Sequence, residues 1–453
     1  MPLIRQIMAL LIIPMLLTAC ASTSVFNPYP NQAAAYKAAI TNGTIDSVTP
    51  GLVSKIKSQD GLLYAQESGR LHQLNHQFEA SKDDFAFVYS QYEKQDERAR
   101  ISASGAAAGS ASLLTNDNAI PYAGFGFERI FAMHFQALNY LALGDAEGAS
   151  VELRRAALEQ RRLEQLHAKA IAKAESQASE DQIETGVWQS SSELMGVNRL
   201  AGQVKSSFQN AYTFYTSALI WEAMGDSNAA LVDYKKALEI NPNNATILAD
   251  IRRVDAGVGL GVDQGHLVVL FEDGFVVTRQ SFDLILPSYL LGSNSGSLFS
   301  IVFPYYPAAE PPSRLHVYWG EKHLGSSEMI ANVDAMAAKS LIENIPLMIV
   351  RMVLRARAKH EIHKQSAANA GILGSLLSTL YNVVSEQADR RNWLSLPSNV
   401  QLLRTEITAG EQQIELNIGG ISRRVKVSTQ AGRVTILRVI NANNRIITQQ
   451  FQL

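Results

Sequence analysis

The sequence predicts an α+β fold: helical hairpins in an irregular solenoid over residues 31–255, then a β-sandwich-like domain over 265–453 with a helical insertion at about 332–390. Three observations carry that expectation. A helix–turn–helix pattern with glycine turns and small packing residues recurs before residue 255. The glycine-rich stretch 256–264 reads as a linker. After Leu396-Pro397, apolar and polar residues alternate in short runs separated by turn pairs, the period of half-buried strands.

Composition sets the outer limits. The chain has 453 residues, room for two or three domains of roughly 100–200 residues each. With 47% apolar and 18% charged residues it can bury a sizeable core and is no acidic disordered tail. Lys+Arg (40) nearly balance Asp+Glu (42), so the basic excess of a nucleic-acid binder is missing and no nucleic-acid partner is expected. Cys20 is the only cysteine, which excludes an intrachain disulfide and a CxxC metal site.

The amino end reads as an address. Arg5 precedes an uncharged apolar run from Ile7 to Leu17, long enough for a secretory signal and shorter than the roughly 20 residues of a spanning helix. The run ends in Leu17-Thr18-Ala19-Cys20, which resembles the lipobox of bacterial lipoproteins. The resemblance implies removal of residues 1–19 and acylation of Cys20, whose chains would anchor the protein on a bilayer. Ala21 and Ser22 follow where an Asp would favour retention in the inner membrane, so the outer membrane is the expected location, with the chain on its periplasmic face. Residues 20–30 are small, polar and Pro-bearing, a tether.

The clearest hairpin, Ala211–Asn244, resembles a tetratricopeptide repeat. Gly225 sits in its turn, Ala230 and Ala237 allow close helix crossing, Tyr234 fills the groove and Pro242 stops the second helix. A second copy places Tyr140, Gly144, Ala149 and Ala156 at matching positions, and its last helix runs on without a proline. A third, around 55–88, takes Gly69 as its turn. In the β region, HLVVLFEDGFVV reads as a hairpin around Asp273-Gly274, and RLHVYWG as another strand. Pro346 is expected at a helix start. Five strands follow between residues 400 and 453, punctuated by Ala409-Gly410, Gly419-Gly420, Ala431-Gly432 and Asn443-Asn444. They suggest a small antiparallel sandwich that also takes in the strands of 265–330.

The stretches LLYAQESGRL, LLTNDNAIPYAGFGFERI, ALNYLALGDAEGASVELRRA, VLFEDGF, IPLMIVRMVLRARAK and ADRRNWLSLP are similar to a family of bacterial lipoproteins with tetratricopeptide-like hairpins. The resemblance covers most of the mature chain. It implies an envelope location and this architecture, and no reaction.

Chemistry-bearing motifs are sparse. His360-Glu361-Ile362-His363 spaces its histidines i, i+3 where a zincin needs i, i+4, so it reads as a solvated helix face and no metal is expected. Gly257-x-Gly259-x-Gly261 follows a helix and precedes a strand, the reverse of a dinucleotide fingerprint, and no cofactor is expected. Ser366–Val384 carries no charge and an apolar stripe; it either packs on the β domain or dips into a bilayer or a partner groove. Arg351, Arg355, Arg357, Lys359, Lys364, Arg390 and Arg391 surround it, as a solvated face or as contacts for anionic groups. Asn116, Asp117, Asn118 and Tyr122 form a candidate recognition loop, and Tyr305-Tyr306 between prolines a second aromatic candidate.

The expected function is therefore a lipid-anchored, non-catalytic scaffold that binds an envelope protein partner through its hairpins. The alternatives are an envelope enzyme acting on peptidoglycan or glycan at the interface of the two regions, and a carrier in lipid or polysaccharide export.

Overall fold

The computed structural model describes residues 27–104, 118, 120–180, 191–258, 262–287, 289, 298–355 and 388–453. Cys20, Asn116, Asp117, His360–His363 and Ser366–Val384 lie outside them. The fold is α+β, with helices through Asp255 and, after it, strands and a helical run at 333–355.

Helix α1 (Tyr29–Asn42) starts on Pro28 and buries Tyr29, Ala33, Tyr36 and Ile40, a stripe spaced four, three and four residues. After α2 (Thr49–Lys55), three hairpins follow: α3 (Gly61–Leu74) with α4 (Phe78–Ser104), α5 (Gly126–Ala142) with α6 (Ala146–Glu180), and α8 (Ala211–Ala223) with α9 (Ser227–Ile240). A short α7 (Ser192–Ala201) precedes the last hairpin and α10 (Ala245–Asp255) closes the series. Local chemistry marks the starts. The side chains of Asn210, Asp226 and Asn244 each accept a backbone N–H from the first turn of α8, α9 and α10. Gly144 and Gly225 take φ values of 80° and 83° in the hairpin turns, a conformation that costs other residues strain. Ala149, Ala156, Ala230, Ala237 and Tyr234 are fully buried, and Pro242 lies just past the end of α9.

Gly69 is a correction. It lies inside α3, where a β-carbon would stand 3.0 Å from the Phe85 ring, so its role is close packing. The turn comes later, at Asn75–Gln77, where His76 has φ 61°. A mid-helix glycine that admits an aromatic ring and a turn glycine look alike in sequence.

Strand β1 (Gln264–Asp273) forms no hairpin with the segment after Gly274, which is a second correction. It pairs parallel with β10 (Val434–Ala442) and antiparallel with β7 (Asn399–Thr408). One sheet runs β11–β10–β1–β7–β6, with β6 at Glu328–Asn332 and β11 at Arg445–Gln452. A second runs β5–β4–β8–β9, comprising Lys322–Ser326, Leu315–Trp319, Gly410–Ile418 and Ile421–Thr429. A separate pair joins β2 (Gln280–Pro287) and β3 (Leu298–Tyr305). The expected sandwich is thus mixed in strand direction. Residues 333–355 are helical, and Pro346 lies within that run, not at its start.

Three layers result. Leu267, Val269 and Phe271 of β1 meet Leu315, Val317 and Leu416 between the two sheets. Val268 and Leu270 face the opposite way, into a core shared with Tyr64, Phe135, Tyr212 and Tyr215 of the helices. Both faces of β1 are therefore covered, which is why its sequence is an almost unbroken apolar run. The inner helices of the hairpins spend their faces on this sheet: α8 buries every residue from Ala211 to Ile220.

A polar cleft above a buried charge cluster

Because β1 and β10 run parallel, both carboxyl ends emerge on the same side, with Asp273 opposite Asn441. Period-two alternation then sends the last two side chains of β1 apart. Glu272 turns toward the helices and Asp273 toward a solvent-facing cleft.

Glu272 is the hub of a fully buried cluster. Arg438 of β10 donates from Nε to its Oε1 at 2.7 Å, and Arg70 of α3 donates to its Oε2. Tyr212 of α8 adds its hydroxyl to Oε1 at 3.2 Å. Gln73 accepts from both guanidinium groups, and Gln449 of β11 accepts from Arg438. Burial alone would raise the Glu272 pKa; Arg438 and Arg70 outweigh it and lower it to about 2. A second cluster ties the last hairpin to β7. Glu222 meets Arg404 at 2.9 Å and Arg253 at 2.8 Å, and the Tyr234 hydroxyl donates to it. Burial would raise its pKa too, and the two arginines lower it to about 2.

A strap at 389–396 is pinned the same way. Arg391 pairs with Asp60 and Asp389, Leu394 N donates to Glu67 and Trp393 N to Glu128. The Trp393 ring is buried between Phe85 and Phe135. Burial raises Glu128 to about 7, against three hydrogen bonds that lower it.

The cleft has a volume of about 610 Å³ and takes residues from α1, β1, β10, the 308–313 loop and the start of the 333–355 helix. Asp273 accepts from Asn441 Nδ2 at 2.8 Å and from Ser313 N at 2.7 Å. Asp334 accepts from Val277 N at 2.7 Å and from the Ser398 hydroxyl. Lys37 reaches in from α1, with Nζ 3.2 Å from Val276 O, 3.3 Å from Thr278 Oγ1 and 5.5 Å from the Phe275 ring centre. Burial lowers Lys37 to about 8 and raises Asp334 to about 6. Ser398 donates its hydroxyl proton to Asp334, and no imidazole lines the cleft among the described residues. The lining brings carboxylate, amide, hydroxyl and ammonium groups together in one cleft.

The candidate recognition loop is corrected in part. Asn118 is buried and donates to Ala388 O, while Tyr122 is buried with its hydroxyl 2.6 Å from Glu128, so both anchor the strap. Tyr306 is likewise buried, its oxygen accepting from Arg279 Nε at 3.0 Å. Of the basic residues, Arg391 and Arg355 are buried and Arg351 is exposed. The cleft residues Lys37, Asp273 and Asp334 escaped sequence reasoning. The one local signal was two adjacent acids closing an apolar strand.

The class so defined is a three-layer α+β protein in which helical hairpins and a pinned strap buttress a mixed sheet that opens into a polar cleft. The chain matches no family model, no curated protein and no solved structure. Among the described residues no helix is long and apolar enough to cross a membrane, and no three His, Cys, Asp or Glu side chains converge as metal ligands would.

Proposed function

We propose that the protein is a lipid-anchored, non-catalytic scaffold of the bacterial envelope, held by Cys20 on the periplasmic face of the outer membrane and engaging an envelope protein partner. The Leu17–Cys20 motif directly behind an apolar run carries the location. The scaffold role rests on the way buried ion pairs join hairpins, strap and sheet: Glu272 and Glu222 each bind arginines from distant elements, so the outer surfaces keep a fixed relation to one another. The inner faces of the hairpins are occupied by the sheet, so the partner meets their outer helices. Cys20→Ala tests the anchor. The variant should move from the membrane to the soluble fraction, and continued membrane retention would count against the reading. Crosslinking in intact envelopes should capture a discrete partner. Turnover of a cell-wall substrate by the purified protein alone would replace the scaffold with the enzyme alternative.

A further inference from the structure

We propose that the cleft at the carboxyl ends of β1 and β10 binds an uncharged sugar unit of a glycan chain. This goes beyond the scaffold reading, since it gives the protein a second, non-protein ligand.

The lining chemistry points to hydroxyl groups. A sugar hydroxyl is donor and acceptor at once, and neighbouring hydroxyls are matched by a carboxylate beside an amide. Asp273 and Asn441 stand together in that way, with Asn399 on the opposite strand and Asn443 and Asn444 at the mouth. Phe275, half-buried in the wall, supplies an apolar ring for the C–H face of a pyranose.

Charge narrows the choice. Asp273, Asp334 and Glu310 face a single cation, Lys37. The excess of negative charge repels phosphates and carboxylates. Lys37 offsets part of this charge beside Val276 and Thr278, and a lysine-rich peptide is the competing occupant that the test includes. A neutral polyol meets no repulsion and uses the amides and the ring that a bare cation would leave idle.

Preorganisation and shape agree. Asn441 donates to Asp273 and accepts from Asn444 N at 3.0 Å, so its amide is fixed before any ligand arrives. Asn443 and Asn444 take φ values of 49° and 76°, the two-residue turn that closes β10 onto β11 and sets their exposed amides at the rim. The volume, about 610 Å³, lies within the roughly 300–1,000 Å³ of small-molecule sites. Exposed Glu310 and the Asn443-Asn444 turn leave the mouth open to solvent, which lets a chain continue beyond the bound unit.

The test is titration calorimetry on the full mature chain with four probes: N-acetylglucosamine oligomers, glucose oligomers, a lysine-rich peptide and inorganic phosphate. One neutral sugar series should bind saturably. Asn443→Gly/Asn444→Gly keeps a backbone suited to positive φ while removing both amides. It should weaken sugar binding about tenfold with an unchanged melting temperature. Phe275→Leu should weaken it as well. Binding of the peptide or of phosphate in place of sugar, no sugar binding up to about 10 mM, or full sugar affinity in both variants would each overturn the proposal. None of these outcomes touches the fractionation test of Cys20, so the two readings fail separately.

Discussion

Arg438 of β10 and Glu272 of β1 meet on the helix-facing side of the sheet at 2.7 Å, with neither side chain exposed to solvent. Arg70 completes the cluster from α3, so one carboxylate joins two central strands to the first hairpin. Removing the carboxylate leaves two buried cations facing each other. Glu272→Leu should cost about 3–5 kcal/mol in denaturant unfolding. Replacing all three by Met or Leu should recover most of that loss, because no unpaired charge remains. A Glu272→Leu protein as stable as the parent would refute the account.

The buried carboxyl of Glu128 predicts a specific pH dependence. Its folded pKa, about 7, lies above the ordinary 4.5, so the folded state holds the proton more tightly. Its contribution is complete below about pH 4.5 and is lost as pH rises through 7. At 1.36 kcal/mol per pH unit the loss is ~3 kcal/mol. Unfolding curves from pH 4.5 to 8 should show the parent losing stability relative to Glu128→Gln across that window. A constant difference would show that Glu128 does not titrate there.

His134 acts with the opposite sign. It is buried against Tyr212 at 3.9 Å between ring centres, and burial lowers its pKa to about 3. The folded state resists the proton, so stability falls as pH drops below 6.5 toward 3. His134→Phe should reduce that acid-side loss. An unaltered acid limb would mean that other groups control it.

Two helical glycines should respond in opposite directions. Gly69→Ala places a methyl 3.0 Å from Phe85, whose ring is held against Trp393 and Phe135, and should cost about 1–3 kcal/mol. Gly196, exposed in α7, has nothing within 4 Å of a β-carbon. There Ala should add up to about 1 kcal/mol through helix propensity. Thermal melts of the two variants check both directions.

The sequence by itself determined what depends on neighbours along the chain. The Gly144 and Gly225 turns, the packing alanines, the five carboxyl-terminal strands and their turn pairs were legible because backbone conformation and side-chain period are local properties. Gly69 and Asp273-Gly274 were misread because their local chemistry suits a turn. In the fold, a ring packed on the first and a distant strand paired beside β1. Only the tertiary structure decided that β1 pairs in parallel with a strand 168 positions later, as Asp273 opposite Asn441 shows. That pairing alone puts Glu272 among arginines and Asp273 at the head of a cleft. Such a contact follows from burying both faces of a strand at once, a balance over the whole chain that no short window of sequence contains.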